Sequence, residues 1–240
     1  MELLDVCFNN NLGTLAQLDA CQGDQDLEYA TRLAHGQTIT PKSFYFLRHG
    51  VTDWSKEMLA QGEKDLPMNE KGFRQIAEAV NTLLDKNITL ILSSTLTRCN
   101  QTTSIVKNAF PDARVIHTED LRERYFGDWS TVAEKAEALL AKAPDGPLFF
   151  QTIKDEIERL LPSDAETQLQ FETRIINLFN YYLSLYQNET ILMVGHGCIR
   201  HAFIKYIEPK ALYYNASYYS MPINFTVDHQ KEWHVHMLDN

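Results

Sequence analysis

The sequence is short of positive charge. Its 22 Lys and Arg face 32 Asp and Glu, a formal net charge of -10. A nucleic-acid binder needs a basic face, so no nucleic-acid partner is expected. No run of about eighteen apolar residues occurs, and no membrane-spanning helix is expected. The N-terminus, Met1-Glu2-Leu3-Leu4-Asp5-Val6-Cys7, lacks the basic stretch and long apolar run of a secretory signal. Cysteine is sparse: Cys7, Cys21, Cys99 and Cys198 have no Cys-x-x-Cys spacing and read as reduced thiols of a cytoplasmic protein. His201, His234 and His236 show no HExxH-like spacing, so they receive no metal role. Internal repeats and low-complexity tracts are absent too.

What is present is an ordinary globular composition. At 240 residues, 44% hydrophobic and 22% charged, the chain can bury a substantial core. Phe44–Leu47 is a charge-free bulky run, as a strand buried on both faces would be. Ile88–Leu92, Ala113–Thr118 and Thr190–Val194 read as further strands. Met221–Asp228 and Glu232–Leu238 read as a closing hairpin around His229-Gln230-Lys231. Between them lie helical stretches: Glu70–Lys86 behind the cap Asn69, about Leu96–Phe110, Val132–Ala143, Phe149–Leu161, a long helix capped by Ser163 or Asp164 and ending near Tyr186, and about Cys198–Tyr206. In Glu70–Lys86 the apolar face is Phe73, Ile76, Ala77, Val80, Leu83 and Leu84. In the long helix that face includes Leu169, Ile175, Leu178, Phe179, Tyr182 and Leu185. Strands alternating with amphipathic helices predict an α/β fold with a mostly parallel sheet and antiparallel edge strands.

Residues 1–40 differ, with Asn9-Asn10-Asn11 and several acids among two short helical stretches. They are expected to form an N-terminal extension, packed on the domain or partly mobile, joined by a linker at Thr38–Pro41. Residues 41–240 form the domain proper.

Three strand ends carry related chemistry. The first ends in Arg48-His49-Gly50. The second runs through Ser93-Ser94 to Arg98 in the first turn of a helix. The fourth ends in Gly195-His196-Gly197. Taken singly, Arg98 reads as a surface cation, His196 as a strand-end histidine and Glu123 as a solvated acid. Brought to one sheet edge, two histidines and two arginines suit a phosphoryl group, whose transition-state charge is spread over three oxygens.

The ordered motifs Leu47-Arg48-His49-Gly50-Val51-Thr52-Asp53-Trp54, Gln61-Gly62, Leu66–Gly72, Ser93–Thr102, Leu121-Arg122-Glu123-Arg124 and Val194-Gly195-His196-Gly197 resemble the histidine phosphatase superfamily. The branch is the one with cofactor-dependent phosphoglycerate mutase and fructose-2,6-bisphosphatase. The resemblance covers about residues 43–238. It implies a three-layer α/β/α phosphoglycerate mutase-like domain, with His49 as the nucleophile that is transiently phosphorylated. Arg48, Arg98 and His196 would hold the phosphoryl oxygens, and Glu123 would donate a proton to the leaving oxygen and then activate water. Ser55, Gln61, Gly62, Arg124 and Gly197 would line the substrate side. No cofactor and no metal are implied. The expected partner is a small phosphorylated substrate, with no membrane involved and a homodimer left open.

The sequence departs from the family at Ser55, where asparagine is common. Mutases of the family carry two adjacent arginines after the acid glutamate. Between Ser130 and Leu169 this chain has Lys135, Lys142, Lys154 and Arg159, with no adjacent pair. A metal-independent phosphomonoesterase is therefore favoured. Phosphoglycerate mutase is the alternative, and a non-catalytic scaffold that kept the fold is a third reading. Asp164-Ala165-Glu166-Thr167 resembles the Gly-Glu-Ser/Thr stretch that opens a late helix in phosphatase members.

Overall fold

A computed structural model describes residues 39–56, 61–127, 161–207 and 220–238. The helices expected within 1–40, over 132–143 and over 149–160 lie outside these residues. The described elements are β1 (Phe44–Arg48), α1 (Asp53–Lys56), α2 (Glu70–Asn81), β2 (Leu90–Ser94), α3 (Thr97–Ala109), β3 (Arg114–Thr118), a 3-10 turn (Glu119–Leu121), α4 (Gln168–Leu185), β4 (Ile191–Gly195), α5 (Gly197–Ile207), β5 (Ile223–Val227) and β6 (Trp233–Met237). The strands form one sheet in the order β3-β2-β4-β1-β5-β6. β3, β2, β4 and β1 run parallel, and β5 and β6 add the antiparallel edge. Among the described residues no helix is long and apolar enough to cross a membrane.

Alternation along the central strands divides the core into two layers. Phe44, Phe46, Leu90, Leu92, Ile191 and Met193 face α4 and α5, while Leu47, Ile91, Leu192 and Val194 face α2 and α3. Phe44 anchors the first layer, with ring centroids 5.1 Å from Phe203 and 4.9 Å from Phe225. Successive residues serve opposite layers, which is why the strands read as continuous apolar runs.

β2 extends two residues past its expected end. Ser93 and Ser94 stay in the strand because their hydroxyls are answered internally. Ser93 Oγ donates to the Ser94 carbonyl at 3.0 Å, and Thr103 Oγ1 lies 2.8 Å from Ser93 Oγ. The long helix is capped by Thr167 in a reciprocal capping box with Gln170, not by Ser163 or Asp164. Asp164 is engaged elsewhere, accepting the Tyr125 hydroxyl at 2.8 Å. The expected linker is tied down at its end: the Ile39 N–H donates to Tyr206 Oη at 2.9 Å and the Thr40 N–H to Asn180 Oδ1 at 2.8 Å.

Asn69 caps α2 as expected, its Oδ1 accepting the Gly72 N–H at 3.0 Å. The buried face is rotated from the expected one. Gly72, Ile76, Ala79 and Val80 point inward, while Phe73 is 42% and Leu84 57% exposed. The cause is Gly72, which lets the first turn press against the chain leaving β1. A Cβ on Gly72 would stand 2.3 Å from the Val51 carbonyl oxygen, and one on Gly50 would stand 2.6 Å from the Gly72 carbonyl oxygen. Leu169 and Leu185 of α4 are likewise exposed rather than buried.

Two effects oppose each other at Gly72. Alanine is the better helix former by about 1 kcal/mol, but overpacking against rigid backbone costs about 1–3 kcal/mol. The clash should win. Gly72→Ala is expected to lower the urea midpoint in equilibrium unfolding, and a raised midpoint would show that the two backbones are not in contact.

Candidate active site

The strand order assembles the site. β4 lies between β1 and β2, although it follows both in sequence. Its end, Gly195-His196, therefore sits beside Arg48-His49 on one flank and the β2–α3 connection on the other. The His49 N–H donates to the Gly195 carbonyl at 3.1 Å, locking the two strand ends together.

His49 is 2% exposed. Its Nδ1–H donates to the Gly50 carbonyl at 2.8 Å, which leaves Nε2 unprotonated. That nitrogen accepts the Arg98 Nε–H at 3.2 Å. Burial, then the positive charges of Arg98 and Arg48, hold the imidazole well below its usual range, against a smaller opposing effect of the Gly50 carbonyl. The ring is thus neutral with a fixed tautomer, its Nε2 presenting a lone pair.

Arg98 is fully buried in the first turn of α3. Its Nη1 donates to the Lys64 carbonyl at 2.6 Å and its Nη2 to the Gly62 carbonyl at 2.7 Å. Gly62 adopts φ 48°, a left-handed conformation that glycine takes without strain. The Gln61-Gly62 stretch therefore orients the arginine. Lys64 in turn lies over the Trp54 ring, 4.3 Å from its centroid.

His196 is fully buried, its ring centroid 5.1 Å from that of His49. Ser94 Oγ accepts the Leu96 N–H at 3.3 Å and lies 2.9 Å from His196 Nε2. Burial, then Arg98, keep this ring neutral as well. Cys99 Sγ stands 3.4 Å from the same Nε2, and burial pushes its thiol up to about 12, so it stays protonated. Gly197 makes room for Arg48: a Cβ there would lie 3.1 Å from Arg48 Cζ.

Glu123 is 7% exposed and reaches the site from the loop after β3. Its Oε1 accepts the Arg124 N–H at 3.0 Å and its Oε2 accepts the Cys198 N–H in the first turn of α5 at 3.3 Å. Arg98 registers its charge, which opposes the lowering of the guanidinium pKa by burial.

Arg124, expected on the substrate side, joins the loop to α4: its Nε and Nη2 donate to the Glu166 carbonyl at 3.1 and 3.0 Å, and its Nη1 to Gln168 Oε1 at 2.8 Å. Ser55 falls on α1, and its side chain lies outside the described residues. Sequence reasoning missed three side chains. Ser94 orients His196. Arg200, 7% exposed on α5, adds to the positive field at His49. Arg174 braces the Glu123 loop from α4. Only the helical register of Arg200, one turn after His196, is a signal that spacing alone carries.

Residues 44–224 match the family model of the histidine phosphatase superfamily (branch 1). The uncharacterized phosphatase PhoE of Bacillus subtilis is 29% identical over 158 residues, which are 66% of this chain and 73% of that protein. In fold, the chain is similar to Bacillus stearothermophilus YhfR, with a TM-score of 0.66 at 21% identity over 82% of this chain and 96% of that one. It is also similar to a phosphoglycerate mutase from Bacillus anthracis, with a TM-score of 0.60 at 22% identity over 82% and 92% of the two chains. With the family match covering most of its length, the chain belongs to branch 1 of the histidine phosphatase superfamily and is a phosphoric monoester hydrolase.

Proposed function

We propose that the protein hydrolyses a small phosphorylated metabolite in two steps through a phosphohistidine on His49, without a metal ion. The observation that carries this reading is the bond from His49 Nδ1–H to the Gly50 carbonyl, which leaves Nε2 free of a proton and directed at the Arg98 guanidinium. In the first step the Nε2 lone pair forms a bond to phosphorus. The bond to the leaving oxygen breaks, and the Glu123 carboxyl proton passes to that oxygen. The ring keeps its Nδ1–H and so becomes positive, a charge that the Gly50 carbonyl stabilises. In the second step water attacks phosphorus and gives its proton to the Glu123 carboxylate. The N–P bond breaks, and His49 returns to its neutral form. Arg48 and Arg98 supply positive charge to the phosphoryl oxygens and, with His196, hydrogen-bond donors, the role a metal fills elsewhere.

The fold alone is shared with a phosphoglycerate mutase. Transfer to a second hydroxyl of the substrate is therefore the competing reading. The sequence between Ser130 and Leu169 lacks the adjacent arginines that would hold a second anionic group.

Release of phosphate from p-nitrophenyl phosphate should persist in EDTA and fall by more than about 10³-fold in His49→Ala. Full activity in that variant, or loss of activity in EDTA, would sink the mechanism. Conversion of 3-phosphoglycerate to 2-phosphoglycerate dependent on 2,3-bisphosphoglycerate would favour the mutase instead.

Glu123→Gln should separate substrates by leaving group. A p-nitrophenolate leaves without protonation, whereas a benzyl alkoxide does not. The expected loss in kcat/KM is about 10²-fold for benzyl phosphate and under about 5-fold for p-nitrophenyl phosphate. This ratio reports the phosphorylation step alone. Equal losses would remove Glu123 as proton donor.

The buried neutral rings also set a pH dependence of stability. His49 and His196 are held below the unfolded value of about 6.5. Above that pH neither state binds the protons and full stability is present. Below it the unfolded chain takes them up and the folded chain does not, so stability falls by about 1.4 kcal/mol per pH unit for each ring. Urea unfolding between about pH 7.5 and 5.5 should show this loss, and His196→Gln should make the slope shallower. Parallel profiles would argue that His196 titrates normally in the folded protein.

A further inference from the structure

The loop that carries Glu123 has almost no regular structure, yet its neighbours on both sides are fixed to one ion pair. Arg174, in the second turn of α4, donates through Nε and Nη2 to the two carboxylate oxygens of Glu166, both at 2.8 Å. Its Nη1 also donates to the carbonyls of Asp120 at 2.7 Å and Arg122 at 3.0 Å. One guanidinium therefore holds the chain just before Glu123. Glu166 holds it just after. Its N–H donates to the Tyr125 carbonyl at 2.8 Å, its Oε2 accepts the Tyr125 N–H at 3.4 Å, and its own carbonyl takes two N–H bonds from Arg124. The Arg124 N–H then donates to Glu123 Oε1. The path from the ion pair to the carboxyl group is thus a short run of hydrogen bonds.

As a stabilising feature the pair is modest, because both side chains are partly exposed, at 22% and 15%. As a positioning feature it has more leverage. Proton transfer needs heavy atoms about 2.6–3.2 Å apart, and a displacement of about 1 Å costs on the order of 10² in rate. We propose that the Arg174–Glu166 pair is a positioning device for the proton donor: it sets where the Glu123 carboxyl group stands relative to the leaving oxygen. Both residues act through Glu123 and touch no reacting atom. This rests on the reading of Glu123 as the donor.

The fork is essential to the argument. Lysine at 174 keeps the charge but cannot bond two carboxylate oxygens and two carbonyls at once. Glutamine at 166 keeps the shape and the backbone bonds while removing the bidentate pair. Both variants are compared with wild type on benzyl phosphate and p-nitrophenyl phosphate, after circular dichroism has confirmed folding. The expected loss in kcat/KM is about 10- to 100-fold on benzyl phosphate and under about 3-fold on p-nitrophenyl phosphate, for Arg174→Lys and Glu166→Gln alike. Combined with Glu123→Gln, Arg174→Lys should cause no further loss on benzyl phosphate, because the group it positions is gone. Should Arg174→Lys fail to fold, Glu166→Gln carries the same test. Equal losses on both substrates, no loss on either, or an added loss in the Glu123→Gln background would overturn the positioning role. If Glu123→Gln itself treats the two substrates alike, the donor assignment falls and takes this role with it. If Glu123→Gln discriminates and Arg174→Lys does not, only the positioning role falls.

Discussion

Burying a guanidinium costs several kcal/mol unless its N–H groups and its charge are answered. Arg98 is fully buried, and most of the site is the answer to it. Two of its nitrogens are met by the carbonyls of Gly62 and Lys64 and the third by His49 Nε2. None of these partners is an anion. Three of its five N–H groups are met by neutral partners, at a place that also holds Arg48 and, within electrostatic reach, Arg200 and Glu123. A pocket so arranged favours a dianionic group arriving from water. Burial first, and then this positive charge, keep both imidazoles neutral.

Orientation within that field comes from hydrogen bonds of neutral groups. The Gly50 carbonyl fixes the tautomer of His49, and the Ser94 hydroxyl holds the His196 ring through Nε2. His49 thereby presents a lone pair on Nε2. Glu123 is placed differently, by a loop braced from α4 rather than by a strand end. The His49 side of the candidate site is thus built into the sheet, and the Glu123 side is held through the 120–125 segment that α4 contacts.

Much of this was legible because strand ends and glycines leave strong local marks. The bulky run before Arg48-His49 and that before Gly195-His196 place both histidines at the carboxyl edge, and Asn69 announces the start of α2. Other features are tertiary and leave no such mark. Phe73 looks like a buried position until Gly72 is seen to need the contact with Val51, which turns the helix by one residue. Arg124 follows Glu123 directly and reads as a site residue. What spacing does not show is that its guanidinium also bonds the Glu166 carbonyl and Gln168, partners far away in sequence. Arg174 sits within the long helix, and nothing local shows that the Asp120 and Arg122 carbonyls will lie against it.

The insertion of β4 between β1 and β2 also bears on assembly during synthesis. Tyr45 pairs with Leu192 and Leu90 with Ile191, so neither early strand meets its neighbour on that side until the chain has been made past residue 191. Contacts so distant in sequence close large loops before they are rewarded, which slows folding. A ribosome-bound chain ending before β4 holds Arg48, His49, Arg98 and Glu123 but has no shared edge on which to gather them. The protein therefore brings these charges together in one late event, when β4, the strand that leads into His196, joins β1 to β2.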